Sequence, residues 1–261
     1  MAYCTKKQGK KEDEVQKIRM LPVLAGIFRH FVCLQPSAVC GMITIRRDIM
    51  KDIPVFTTNN GVASLTLREI PYLGTAYVVI RSSQDPQEFI RECADFCRAC
   101  GAEHVYATGV PELEAYPLHT AMYNMACDAT SIPDTDAALW PVQEETLEAF
   151  RTIYNEKMKT VPNAAWMDSQ RAREMLQKGD GYFIHRGDAL LGIGRASGDT
   201  LDAVISLMPG AGRDVVLALK HAISSERIVL LVASTNERAI RLYERLGFIR
   251  TAEVSRWYEI F

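Results

Sequence analysis

The sequence predicts an α/β (α+β) fold, a mixed central sheet flanked by helices, and three observations carry that prediction. Residues 228–233 are a continuous apolar run of strand length, as in a strand buried on both faces. The small polar residues Ser234, Thr235 and Asn236 come next, offering N-cap oxygens to a helix that Gly247 closes. Second, residues 139–261 run strand, helix, helix, three strands, helix, strand, helix, strand. Third, residues 62–126 run strand, strand, helix, strand, helix, so part of that order occurs twice, as a repeat of order rather than of residue identity.

Taken from its start, the chain opens on a segment, 1–41, that fits poorly with the rest of the sequence. Lys6, Lys7, Lys10 and Lys11 precede a short apolar run from Met20 to Phe28, but Glu12, Asp13 and Glu14 interrupt the basic stretch, which argues against a secretion signal. Residues 42–47 read as a first strand. Further strands fall at 62–67 and 76–80. Asp85-Pro86-Gln87-Glu88 then supplies an N-cap, a proline at the first helical position and a capping-box glutamate for a helix that stops at Gly101. Cys93, Cys97 and Cys100 have a spacing similar to an iron–sulfur motif. They lie on the apolar stripe of that helix with Phe89, Ile90 and Phe96, and there they read as small buried hydrophobes. A strand at 104–107 and a helix over 113–126 complete the first half.

The polar, proline-marked stretch 131–136 reads as the boundary between halves 42–130 and 138–261. The second half opens with a strand at 139–142 and a helix at 144–154. A loop at 162–166 and a helix ending at Gly179 come after them. Strands at 181–185, 189–196 and 201–207, a helix at 213–223 and the strand at 228–233 lead into the closing helix. On that helix Ala239, Ile240, Leu242, Tyr243 and Leu246 share one face, and charged residues occupy the other.

Composition excludes several classes. With 30 Lys and Arg against 32 Asp and Glu, the net charge of −2 gives no electrostatic case for nucleic acid. No apolar run approaches the length of a membrane span. Seven cysteines, an odd number scattered among apolar neighbours, fit a reducing cytoplasm better than a disulfide framework. The five histidines are dispersed and suggest no metal site, and no Gly-x-Ser-x-Gly, His-Glu-x-x-His or long phosphate loop occurs.

Asn236, Ala239, Leu242, Tyr243, Glu244, Leu246, Gly247 and Phe248 together form Asn-x-x-Ala-x-x-Leu-Tyr-Glu-x-Leu-Gly-Phe. This resembles the C-terminal motif of the GNAT (Gcn5-related) N-acetyltransferases, and the element order of 138–261 is that of the family. The resemblance implies a tandem GNAT fold with a degenerate first half that lacks the motif. It implies acetyl-CoA as co-substrate, with no metal, and a cofactor cleft between the fourth and fifth strands of the second half. The acceptor is a small-molecule amine or a peptide amine, and self-association stays open.

Residue by residue, the resemblance places Tyr243 as the acid that protonates the departing thiolate. Main-chain N–H groups near Ser206 and Leu207 polarise the thioester carbonyl. The pyrophosphate falls on Gly210, Gly212 and Arg213 at the next helix N-terminus. That loop is shorter than the family pattern, and Asp214 adds a like charge. Asn236 caps its helix, touches the cofactor, or both. Asp202, the lone carboxylate on the fourth strand, is the candidate base. Asn163 and Trp166, in the loop between the first two helices of this half, are acceptor-side candidates. The shortened phosphate loop keeps a second reading open, a catalytically silent GNAT-fold module that binds a small molecule or a protein.

Overall fold

The computed structural model describes residues 51–261. The segment 1–41 and the strand expected at 42–47 therefore lie outside the described residues. The first half contributes β1 (Ile53–Thr57), β2 (Gly61–Thr66), a one-turn helix α1 (Ile70–Leu73), β3 (Thr75–Ser83), α2 (Pro86–Ala99), β4 (His104–Thr108) and β5 (Leu118–Asp128). The second contributes β6 (Ala138–Pro141), α3 (Leu147–Met158), α4 (Ser169–Lys178), β7 (Gly181–Arg186), β8 (Ala189–Ser197), β9 (Thr200–Ser206), α5 (Gly212–Leu219), β10 (Arg227–Ala233), α6 (Glu237–Arg245) and β11 (Ile249–Glu259).

All eleven strands form one mixed sheet, ordered β1-β2-β3-β4-β11-β5-β10-β9-β8-β7-β6. Read outward from the antiparallel β11/β5 pair, its two wings correspond. Each meets an antiparallel neighbour, β4 or β10, and then that neighbour's parallel partner across a helical crossover, β3-α2-β4 or β9-α5-β10. Antiparallel hairpins complete both sides. The last strand of each half pairs with the other half, β5 beside β10 and β11 beside β4.

The helix expected over 113–126 is instead a short 3-10 turn, Pro111–Ala115, followed by β5. The reason is burial. This strand has neighbours on both edges, and Thr120, Ala121, Met122, Met125, Ala126 and Cys127 are all buried. A strand covered on both faces loses its alternation, and a continuous apolar run reads as readily as a helix. The other caps form as the residues dictate. Asp85 accepts from the N–H of Glu88, and Asp168 from that of Arg171.

Helices cover the second half on both faces. On one, α5 and α6 pack Val215–Leu219, Tyr243 and Leu246 against Ile228, Leu230, Val232 and Met125. On the other, α3 and α4 pack Phe150, Tyr154 and Met175 against Ile193, Ala203 and Ile205. Close approach of α5 depends on Gly192, where a Cβ would sit 2.3 Å from the carbonyl oxygen of Ile205 and 2.6 Å from a Val215 methyl. Gly192→Ala is therefore expected to lose about 1–3 kcal/mol through overpacking, read as a lower urea midpoint.

In the first half Cys93 and Cys97 are fully buried beneath α2, as packing residues. Burial pushes the Cys93 thiol up to about 12, which keeps it protonated and inert.

Candidate functional site

The strands β9 and β10 pair only at Thr200 with Val229 and Leu201 with Leu230. Beyond Leu201 they separate. Opposite that point the β8–β9 register shifts between Arg195 and Ala196, which places one extra residue at Asp202. A bulge of this kind bends the strand that carries it, and so separates it from its parallel neighbour. The corresponding pair in the first half behaves differently. There β3 and β4 stay in register over five residue pairs, Thr75 with His104 through Val79 with Thr108. Only the second half opens a wedge.

The wedge exposes backbone. Leu207 donates its N–H to the carbonyl of Leu191 at 2.9 Å, so that amide is already committed to the sheet. Because antiparallel pairs alternate between bonded and non-bonded, Ser206 opposite Gly192 and Val204 opposite Gly194 turn their amides away from β8, toward the gap. The amides turned toward the wedge are therefore those of Ser206 and Val204, and not that of Leu207. Unpaired edges of this kind accept an added extended chain. The Ser206 hydroxyl points elsewhere, donating to the carbonyl of Met208 at 2.7 Å.

At the mouth of the wedge Gly210 adopts φ 84°, a left-handed turn that favours glycine, and α5 begins two residues later. No side chain caps α5, so the N–H groups of its first turn face outward with the positive end of the helix dipole. A Cβ on Gly212 would press to 3.1 Å from a Leu242 methyl, tying the start of α5 to α6. Arg213 is exposed. Asp214 does not face this mouth as a bare charge. It pairs with Arg186 at 3.0 Å, and Arg186 also holds Asp136 at 2.8 Å. Arg186, unremarked in the sequence, neutralises the like charge expected in this loop.

The helix α6 forms as its motif dictates. Asn236 accepts from the N–H of Ala239 at 3.3 Å, an N-cap, and Gly247 at φ 90° lets Phe248 return its N–H to the carbonyl of Tyr243 at 3.0 Å. Tyr243 is buried, its ring centroid 5.6 Å from that of Phe248, and burial pushes its phenol up to about 12. The phenol is thus a proton carrier at every physiological pH. Asn236→Ala should cost about 1 kcal/mol of stability as a lost cap, measured by denaturant titration. Cofactor affinity should fall only if Asn236 is also a ligand.

The corner between β10 and α6 is pinned from the first half. Ser234 accepts from the N–H of Ala121 at 3.0 Å, and Thr120, fully buried, lies 3.3 Å from the hydroxyls of both Ser234 and Thr235. A helical reading of 113–126 gives Thr120 no such role, which is why its residues alone do not single it out.

Of the remaining candidates, Asp202 is exposed at the bulge and accepts from the Ser197 hydroxyl at 3.2 Å. Trp166 stacks on Tyr72 of α1, 5.3 Å between centroids and 9° between planes, so one of its faces is already covered. Its loop is fastened to the first half. Glu69, 2% exposed, accepts from the Trp166 N–H at 2.8 Å and from the Arg171 guanidinium at 2.6 Å. Asn163, at the head of this loop, has φ 60°, and its Oδ1 is buried without a hydrogen-bond partner among the described residues.

A comparison with curated proteins finds no match. The model of the FR47-like protein family matches residues 208–258, which run from the mouth of the wedge through α6 into β11. Among solved structures, a conserved protein of unknown function from Staphylococcus epidermidis is similar over 82% of this chain and 95% of its own, with a TM-score of 0.53 at 10% identity. A candidate acetyltransferase from Pyrococcus horikoshii is similar over 76% of this chain and 68% of its own, with a TM-score of 0.51 at 10% identity. A tandem GNAT protein from the clavulanic acid biosynthesis pathway also matches, with a TM-score of 0.46 at 14% identity over 77% of this chain and 78% of its own. Residues 208–258 are thus similar to the FR47-like protein family, and the described chain shares its fold with the Staphylococcus epidermidis and Pyrococcus horikoshii proteins.

Proposed function

We propose that this chain is an acyl-CoA-dependent N-acyltransferase that moves acetyl from acetyl-CoA to a primary amine by direct attack. The observation that carries the reading is the wedge, open between β9 and β10 and closed between β3 and β4. The pantetheine amides would complete the edge of β9, and the Val204 or Ser206 N–H would receive the charge developing on the thioester oxygen. The pyrophosphate would lie on the uncapped start of α5, near Gly210, Gly212 and Arg213.

In the transfer, the amine nitrogen bonds to the thioester carbon and the C–S bond breaks. The thiolate takes the Tyr243 proton, and the surplus proton of the new amide leaves to Asp202 or to water, restoring the phenol by exchange with solvent. The halves 42–130 and 138–261 act as a tandem pair in which the first is structural. The chain's setting is a reducing cytoplasm, where seven cysteines scattered among apolar neighbours stay thiols.

Calorimetric titration of acetyl-CoA into the protein tests the reading. Saturable binding, with thiol release once an acceptor amine is added, is the expected result. Absence of binding at millimolar acetyl-CoA would instead support the silent module.

A further inference from the structure

The centre of the sheet carries an array of rings that the transfer chemistry does not use. Tyr77 on β3 and Tyr106 on β4 are cross-strand partners, with centroids 5.8 Å apart. Tyr106 lies against the imidazole of His119 on β5, 3.7 Å between centroids and 18° between planes, and parallel to His104 within 3° at 6.2 Å. Trp257 on β11 meets Tyr77 edge-on at 5.5 Å. Four strands thus bring five rings together. The residues that alternate with the two tyrosines, Ala76, Val78, Val105 and Ala107, are buried, whereas Tyr106, His119 and Trp257 stay part-exposed.

Two carboxylates border this array, each beside a basic partner. Glu259 pairs in register with Tyr106 and lies 3.0 Å from His104 Nδ1. Burial first and then the Glu259 carboxylate raise the Tyr106 phenol, while burial and then Glu69 raise that of Tyr77. Burial lowers His119, against the pull of Glu259 and with the push of His104, so its imidazole is neutral at pH 7. Arg171 is committed to Glu69.

The loop from the second half ends beside this array. The Asn163 backbone lies close enough to the Tyr77 phenol to oppose, in small part, the rise that burial gives it. Asn163 combines a left-handed backbone with a buried, unpartnered Oδ1, two costs that persist where a functional site uses them. A bound N–H donor would supply the missing partner.

We propose that this array is the floor of the acceptor subsite, and that the acceptor is a cationic amine bearing a flat aromatic group. Tyr106 and His119 cover one face of each other, so its ring lies on a face that this stacked pair leaves open, beneath the Asn163 loop. Its amine end reaches across β5 toward β10 and the wedge. The first half, which carries no wedge of its own, then adds to its structural part the selection of the acceptor. This rests on the acyltransferase reading, and the experiment separates the two.

Phenethylamine and 2-cyclohexylethylamine share length and charge and differ only in the ring. Each is titrated calorimetrically into the full chain, with acetyl-CoA in a parallel arm. Phenethylamine should bind about tenfold more tightly, the scale of a stacked ring with a cation nearby. Tyr106→Leu, which keeps bulk and removes the π-face, should bring the two amines within about twofold and leave acetyl-CoA affinity unchanged. His119→Leu should narrow the preference too, and it replaces the first variant if circular dichroism shows that Tyr106→Leu is unfolded. Equal binding of the two amines, or a preference that survives both substitutions, overturns the proposal. So does a protein that binds acetyl-CoA but neither amine. Failure of acetyl-CoA to bind while phenethylamine is still preferred overturns the transferase reading alone.

Discussion

Tyr243→Phe is expected to lower the maximal rate of acetyl transfer about 10²-fold, or about 2.7 kcal/mol of transition-state stabilisation, without changing acetyl-CoA affinity. The substitution keeps the ring against Phe248 and removes only the proton donor. The sign of the pH dependence comes from burial. The phenol sits at about 12 in the folded protein against 10 for the free group, so its proton is held across the working range. No alkaline fall in rate from this residue should appear below pH 10. Its contribution to stability is complete below pH 10 and declines as pH rises toward 12, because the unfolded chain ionises first. Stopped-flow thiol release at saturating acetyl-CoA, from about pH 6 to 10, checks the rate and its pH dependence. An undiminished Tyr243→Phe rate would make the tyrosine scaffold and leave thiolate departure to water.

Arg171→Leu should produce the largest loss of stability, about 3 kcal/mol. Glu69 is almost completely buried, and removing its cation leaves an uncompensated carboxylate, a change that usually costs about 3–5 kcal/mol. The lower end applies because Arg171 is about one quarter exposed and water partly replaces it. Urea unfolding measures the loss. The double variant Glu69→Leu with Arg171→Leu should recover much of it, because replacing both partners removes the stranded charge. Recovery in the double variant is the outcome that a merely bulky or misfolded Arg171→Leu would not show.

Much of this molecule was legible in its residues, for identifiable reasons. Asp85, Asp168, Asn236, Gly179 and Gly247 mark helix ends because capping is local chemistry, decided within a few residues. The segment that forms β5 reads as a helix because its environment is non-local, with strands on both edges supplied by residues about a hundred positions or more away.

The same distinction runs through the site. The tyrosine at 243 stands out by its place in the motif, whereas the glycines at 210 and 212 sit in a loop shorter than the family pattern. The commitment of the Leu207 amide to Leu191, the neutralisation of Asp214 by Arg186 and the buried Glu69–Arg171 pair arise only when distant segments meet. The bulge at Asp202 is a matter of register, and register belongs to two strands at once.

The exchange of last strands has a consequence for how the chain comes to be folded. During synthesis the first half emerges with the edge of β4 exposed, because the strand that covers it, β11, is made after all the others described. Nor can β5 bury both its edges until β10 and β11 arrive. Folding must therefore wait on contacts of high sequence separation, which slows it and leaves a sticky strand edge open in the meantime. Neither half is a free-standing unit that could be lost or duplicated alone. A chain stopped before Ile249 would lack an interior strand of its sheet and present two unpaired edges, on β4 and β5, where the finished protein has a continuous ladder.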